Sequence, residues 1–121
     1  MRYYDNSVPS GVGTMRLTFT TRELIMQTPW GPSQSTERIA DGVFWYSTAS
    51  HGGFFLSQER RRAMPEPYRS AKPFAGAGWY EEDCDWAVVV CAFPVLFPAD
   101  HVERAKQFWE LYHAPKLAMR A

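Results

Sequence analysis

An apolar run between residues 79 and 97 dominates the hydrophobic pattern of this 121-residue chain. Within it, apolar side chains recur at i, i+3, i+4 and i+7, which is the spacing of one helix face. That face consists of Trp86, Val89, Val90 and Phe93. The opposite side is apolar too, and a helix that is apolar on nearly all sides is normally buried. We therefore predict a buried central helix that begins near Glu82 and ends near Ala92 or Phe93, ahead of Pro94.

Upstream of this helix the apolar positions follow a period of two, which is typical of strands with one buried face. Residues 14–20 (TMRLTFT) show this alternation. Further strands are predicted at 37–40, 43–48 and 54–56. Asp41 and Gly42 have the composition of a tight hairpin turn between the first two of these. Together the segments form an antiparallel meander of three or four strands.

Two more helices are predicted on either side of the central one. Ser57 is a suitable N-cap for a short helix over residues 58–64, which Pro65 would end. A last helix is predicted to start at residues 98–100 and to stop ahead of Pro115. The predicted fold class is therefore α+β, with a small antiparallel sheet of three to four strands packed against a buried helix and a C-terminal helix.

Composition indicates one globular domain. Five Trp and eight Phe are enough to build a core. Residues 1–13 are polar and rich in turn formers, so we predict a flexible N-terminal arm there and a single α+β domain over residues 14–121. Thirteen basic and thirteen acidic residues give a formal net charge of zero, which argues against direct nucleic-acid binding.

No segment is apolar for long enough to span a membrane and no signal peptide is visible, so we expect a cytoplasmic protein without membrane contact. Cys84 and Cys91 are seven positions apart, about 10 Å along the predicted helix. A disulfide needs Cα atoms within about 7 Å. Two free thiols are therefore predicted, which fits a reducing compartment. Neither a metal nor a cofactor is predicted, because ligand-spaced Cys and His residues are lacking.

Four carboxylates stand within five positions, at Glu81, Glu82, Asp83 and Asp85. They either fill the first helical turn, where the helix dipole favours acids, or form a surface that contacts a basic partner. On a helix only side chains three or four positions apart converge, which leaves one carboxylate pair for acid–base catalysis or a divalent cation. We take all four, together with His51, as candidate partner-binding residues.

His51 belongs to a Ser-His-Gly-Gly turn, which is either an anion site made by glycine amides or a plain hairpin turn. Cys84 is a candidate nucleophile. A helix N-terminus would lower the pKa of its thiol, whereas the adjacent carboxylates would raise it. A catalytic pair of His51 with Cys84, or of His51 with a nearby carboxylate, is the enzyme alternative.

The sequence also contains a run of three arginines, Arg60 to Arg62, on the predicted short helix. Such a run is usually a solvated helix face. It could also form ion pairs with the acidic cluster or contact phosphate.

Four sequence blocks are distinctive in combination: TPWG at 28–31, SHGGF at 50–54 with Leu56-Ser57, Met64-Pro65, and WYEEDCDW at 79–86. Over about residues 28–100 the chain resembles a domain of unknown function found in proteobacterial proteins, often on plasmids and other mobile elements. The resemblance carries no activity and assigns no role to any residue. It implies a small cytoplasmic protein that travels with mobile DNA.

This context suggests a non-enzymatic anti-defence protein, most specifically an anti-CRISPR inhibitor. Such a protein would bind a host Cas protein and block nucleic-acid binding or effector recruitment, with the acidic cluster in the place of nucleic-acid phosphates. The small cytoplasmic enzyme described above is the main alternative. A third hypothesis is an accessory module that forms a homodimer through exposed aromatic residues such as Trp109 and Tyr112.

Overall fold

The fold is seen in a computed structural model that describes residues 25–120. It starts with a small hairpin and continues into a four-stranded antiparallel sheet whose spatial order is its chain order. The hairpin strands are β1 (Gln27–Thr28) and β2 (Gly31–Pro32), and the sheet strands are β3 (Ser35–Ala40), β4 (Val43–Ser47), β5 (Gly52–Leu56) and β6 (Trp79–Glu81). The predicted meander is confirmed. The predicted arm at 1–13 and strand at 14–20 lie outside the described residues.

The turn between β3 and β4 is the two-residue turn expected at Asp41 and Gly42. Gly42 has φ of +76°, which only glycine adopts without strain, and its carbonyl accepts a hydrogen bond from Ser57 N at 2.9 Å. Helix α1 (Gln58–Ala63) follows at once. As predicted, Ser57 caps it: the hydroxyl oxygen accepts a hydrogen bond from Arg60 N at 3.1 Å.

The central helix is shorter than the sequence predicts. Residues 79–81 pair with β5 as the edge strand β6, residues 82–85 form turns, and helix α2 is Trp86–Ala92. The prediction that a helix begins near Glu82 is therefore wrong. In a segment of three residues the side-chain period of a strand cannot be distinguished from that of the adjoining helix. Hydrogen bonding to β5 therefore determines that residues 79–81 are a strand. Residues 87–92 are all buried, as expected for this helix, which ends before Pro94.

The C-terminal helix is longer than predicted. Helix α3 (Ala99–Phe108) runs into a π-helical segment (Trp109–His113) and then into α4 (Ala114–Arg120). The prediction of a stop ahead of Pro115 is therefore wrong. The N–H of Ala114 bonds to the carbonyl of Trp109 five residues back, and this wider turn accommodates the proline without ending the helix.

The core lies between one face of the sheet and the helices. Val43, Phe54 and Leu56 are fully buried on that face and pack with α2 and the C-terminal helix. The predicted α+β class, with a buried helix and a C-terminal helix against a small antiparallel sheet, is confirmed. Within residues 25–120, no helix has both the length and the apolar character needed to cross a membrane.

The opposite face of the sheet carries aromatic side chains: Trp30, Phe44, Tyr46, Phe55 and Trp79. The Trp79 ring is central, with centroids 4.6 Å from Phe55, 5.6 Å from Tyr46 and 5.7 Å from Trp30. Trp30 comes from the β1–β2 turn, so the small hairpin covers part of this face.

Candidate functional site

Two turns meet at one end of the sheet and bring His51 to the carboxylates. The β4–β5 turn is closed by Thr48, whose hydroxyl donates to His51 O at 2.7 Å and accepts from His51 N at 3.0 Å. The other turn, residues 82–85, follows β6, and its Glu82 N donates to Gly52 O at 2.9 Å. The backbone ladder therefore determines which side chains lie together, although they are 30 positions apart in the sequence.

The side chains of His51, Glu81, Glu82 and Asp83 form what we call the acidic edge. His51 Nδ1 lies 3.6 Å from a carboxylate oxygen of Glu81 and 3.7 Å from one of Glu82. The side chains are 44%, 19% and 40% exposed, respectively, and Asp83 is exposed as well. Among residues 25–119, no Arg or Lys forms an ion pair with any of the three carboxylates. The acidic edge is therefore a water-facing surface of negative charge.

Glu81 is the most enclosed member of the acidic edge. Burial raises the pKa of its carboxyl group, and the negative charge of Asp83 raises it further, while His51 acts in the opposite direction. The ionised form of Glu81 is therefore less favourable in the folded protein than in water, because the fold removes part of its hydration and places another carboxylate beside it.

Asp85 does not share the exposed position of the other acids. Its side chain is buried, with 5% exposure, and one carboxylate oxygen accepts a hydrogen bond from Phe74 N at 2.9 Å. Asp85 thus attaches the 71–78 loop to the start of α2. Of the five candidate partner-binding residues, the structure brings His51, Glu81, Glu82 and Asp83 together on the surface and turns Asp85 inward.

The cysteine of the enzyme alternative contacts Glu81 as well. Cys84 Sγ lies 3.9 Å from the second carboxylate oxygen of Glu81, so Glu81 stands between Cys84 and His51. Burial and the nearby Asp85 charge raise the pKa of the Cys84 thiol, which lowers its reactivity at neutral pH. The 3.6 Å from His51 to Glu81 exceeds the roughly 2.6–3.2 Å of a hydrogen bond suited to proton transfer. Neither the Cys84–Glu81 distance nor the His51–Glu81 distance is short enough for a base that activates a nucleophile.

The two glycines of the Ser-His-Gly-Gly block have a structural role. Gly52 and Gly53 lie within β5 and pair with Ser47 and Tyr46 of β4, so their amides belong to the sheet and do not form an anion site. A Cβ at Gly53 would collide with the Trp30 ring. The glycine therefore makes room for Trp30 on the sheet, and the plain-turn interpretation of this motif is the better one.

A cavity of about 520 Å³ adjoins the acidic edge on the side of Cys84. Tyr112 and His113 line it from the π-helical segment, and His113 Nε2 donates a hydrogen bond to Cys84 O at 2.8 Å. No motif in the sequence marks His113 as a site residue. The available signal was Pro115, because a helix that continues through a proline needs a widened turn nearby, and such turns are frequent at functional sites.

His51, Glu81 and Asp83 each offer a ligand atom, and the three atoms lie within 4.8 Å of one another. Imidazole and carboxylate ligands suit several divalent cations, so these residues could hold one. The carboxylates that helical spacing would bring together, Glu81 or Glu82 with Asp85, cannot share a cation, because the Asp85 carboxylate is buried and accepts a hydrogen bond from Phe74 N.

Two further features of the sequence analysis, the arginine run and Trp109, can be placed in the structure. Arg60 Nε donates to Asp41 O at 2.8 Å, and its guanidinium lies 5.0 Å from the Phe93 ring centre. Among residues 25–119, no arginine of the 60–62 run pairs with the acidic cluster. Trp109 is only 6% exposed and packs on Tyr68 and His113, so it is not an exposed contact for a homodimer.

The fold and the acidic edge together define a small α+β domain with a negatively charged surface at one end of its sheet. The chain belongs to the family DUF7007, described as a domain of unknown function, whose model matches residues 23–116. No curated protein and no solved structure matches the chain.

Proposed function

We propose that this protein is a non-enzymatic anti-defence protein that binds a basic surface of its partner through the acidic edge. The observation that carries the proposal is the set of three carboxylates at Glu81, Glu82 and Asp83, which form no ion pair with Arg or Lys among residues 25–119. Like charges gathered at a surface destabilise the free protein slightly and strengthen contact with a positively charged partner. Such an arrangement is typical of a binding surface.

The partner that fits best is a nucleic-acid-binding protein of a host defence system, most specifically a Cas protein. Pockets for nucleic-acid phosphates are lined by Arg and Lys, and carboxylates compete for the same side chains. The same class of partner is implied by the resemblance of the TPWG, SHGGF and WYEEDCDW blocks to a domain found on mobile elements. The raised pKa of the Cys84 thiol favours binding over nucleophilic catalysis.

The decisive experiment measures binding of the purified protein to Cas effector complexes from bacteria that harbour it, together with phage survival in cells that express it. The double variant Glu82→Lys/Asp83→Lys reverses two exposed charges. Glu103→Lys on α3 is the matched control, since Glu103 is an exposed acid outside the acidic edge. Chelator in the buffer prevents a divalent cation from neutralising the carboxylates.

We expect the double variant to bind at least about tenfold more weakly, a loss of about 1.4 kcal/mol, and the control to bind like the wild type. The difference should shrink as salt is raised, because exposed charges are screened beyond about 8–10 Å at physiological ionic strength. Equal binding by the double variant would refute the acidic edge as the contact. Absence of both Cas binding and phage protection would refute the anti-CRISPR proposal itself.

A further inference from the structure

A second cavity, of about 300 Å³, lies between α1 and the 71–78 loop and differs in charge from the acidic edge. Four cationic side chains line it: Arg61, Arg62, Arg69 and Lys72. Its remaining lining is mostly apolar, with the largely buried Met64 and Tyr80 among the contributors, and it includes no carboxylate. A neutral protein therefore gathers four of its thirteen basic residues around one opening.

Most of this positive charge is not neutralised by the protein itself. Arg69 Nη2 pairs with Glu66 at 3.1 Å. Arg61, Arg62 and Lys72 form no ion pair among residues 25–119. A cluster of like charges at an apolar cavity is unfavourable in the free protein, and an anion in the cavity relieves it.

Arg61 supplies the most specific observation. Its Nε atom is buried and has no hydrogen-bond acceptor among the described residues. A buried donor without a partner costs about 1–3 kcal/mol, more when the group is charged. Arg61 also lines the cavity, and a guanidinium holds phosphate or carboxylate oxygens through two parallel bonds, so an anion there would give this side chain a charged partner.

The backbone packs closely against the Arg61 side chain at Gly78. This glycine has φ of +89°, and a Cβ there would lie 3.4 Å from Arg61 Nε and 2.9 Å from Leu56 O. Arg60, the neighbour of Arg61 in sequence, points elsewhere and bonds to Asp41 O. The three-arginine run is therefore divided between one structural side chain and two that line the cavity.

We propose that this cavity binds a small phosphate monoester whose organic group is apolar or aromatic. The phosphate would lie among Arg61, Arg62 and Lys72, and the organic group would contact Met64 and the Tyr80 ring. The volume is at the lower end of the roughly 300–1,000 Å³ of small-molecule sites. No residue of the acidic edge takes part, so the failure of either proposal leaves the other standing.

Isothermal titration calorimetry with three probes tests the proposal: phenyl phosphate, inorganic phosphate and phenol. We expect saturable binding of phenyl phosphate, weaker binding of inorganic phosphate, and no binding of phenol. Arg61→Gln and Lys72→Gln should each weaken phenyl phosphate binding by about tenfold, as expected for the loss of one charge-assisted hydrogen bond. Arg104→Gln on α3 changes the net charge equally outside the cavity and should leave binding unchanged.

Circular dichroism and thermal melting verify that each variant is folded. If Arg61→Gln does not fold, Lys72→Gln still tests the proposal. Absence of saturable phenyl phosphate binding would overturn the proposal. An equal loss in Arg104→Gln would show attraction to net charge alone and would overturn it as well. Inorganic phosphate that binds as tightly as phenyl phosphate would overturn the assignment of an organic group.

Discussion

Gly53→Ala is the substitution for which the structure makes the sharpest prediction. A Cβ at this position of β5 would collide with the Trp30 ring and lie 2.7 Å from the carbonyl oxygen of Tyr80 on β6. The Trp30 side chain can swing away, but the carbonyl belongs to the hydrogen-bonded ladder and cannot move without disturbing the sheet. The added methyl group therefore forces either Trp30 off the sheet or β6 away from β5.

The expected cost follows from two opposing effects. Overpacking a well-packed site costs about 1–3 kcal/mol. Replacement of a strand glycine by alanine otherwise gains about 0.5–1 kcal/mol. We therefore expect Gly53→Ala to lower the free energy of unfolding by about 1–2 kcal/mol. For a domain of this size that corresponds to a fall in Tm of about 4–8 °C.

Urea unfolding followed by tryptophan fluorescence measures the effect, with Gly52→Ala as the matched control. A Cβ at Gly52 would be 3.1 Å from Trp45 Cζ2, 3.1 Å from the carbonyl oxygen of Tyr46 and 3.2 Å from Glu82 Oε1, which is tight but is not a collision like that at Gly53. The control should thus lose less than half as much stability. In a Trp30→Ala background, Gly53→Ala should cost less than in the wild type, because one of its two clashes is gone.

Equal costs in the two backgrounds would refute the contact between Trp30 and Gly53. Wild-type stability of Gly53→Ala would refute the structural account of the glycine pair. It would also reopen the interpretation of the Ser-His-Gly-Gly turn as a ligand site.

Three other predictions concern the turn that carries the acids. Asp85→Ala should lower the free energy of unfolding by about 1–3 kcal/mol, because Phe74 N loses its hydrogen-bond acceptor. Asp85→Asn should lower it by less. Equal losses for the two variants in chemical denaturation would contradict this prediction. Cys84 should react with iodoacetamide more slowly than a free thiol at neutral pH. The buried Cys91, whose pKa is raised to about 11, should react only after unfolding. Rapid labelling of either thiol in the folded protein, measured by mass spectrometry, would count against the structure. Glu81→Gln should raise stability at neutral pH by up to about 0.5 kcal/mol, since it removes a carboxylate whose charge is disfavoured first by burial and then by Asp83. Because the pKa of Glu81 is raised on folding, its ionised form penalises the folded state above that pKa, and the advantage of Glu81→Gln should vanish as the pH falls towards the ordinary carboxyl value.

Local signals in the sequence correctly predict much of the fold. Three features depend only on residues a few positions apart and can therefore be predicted from local sequence. They are the Asp41–Gly42 turn, the Ser57 cap and the buried helix ahead of Pro94. The candidate site was predicted only in part. His51 and the carboxylates were identified by type, but nothing local indicates that a β4–β5 turn and a β6–α2 turn share one end of the sheet.

The amino-acid sequence by itself determined which segments are apolar, where the chain turns and which side chains carry charge. Tertiary structure decided that residues 79–81 pair with β5 as a strand, which turns Asp85 inward and leaves Glu82 and Asp83 in water. It also placed Arg60 against the Asp41 carbonyl and Arg61 at the second cavity, although the two are neighbours in the chain. The physical reason is that backbone pairing and burial join residues far apart in sequence, and no local period contains that information.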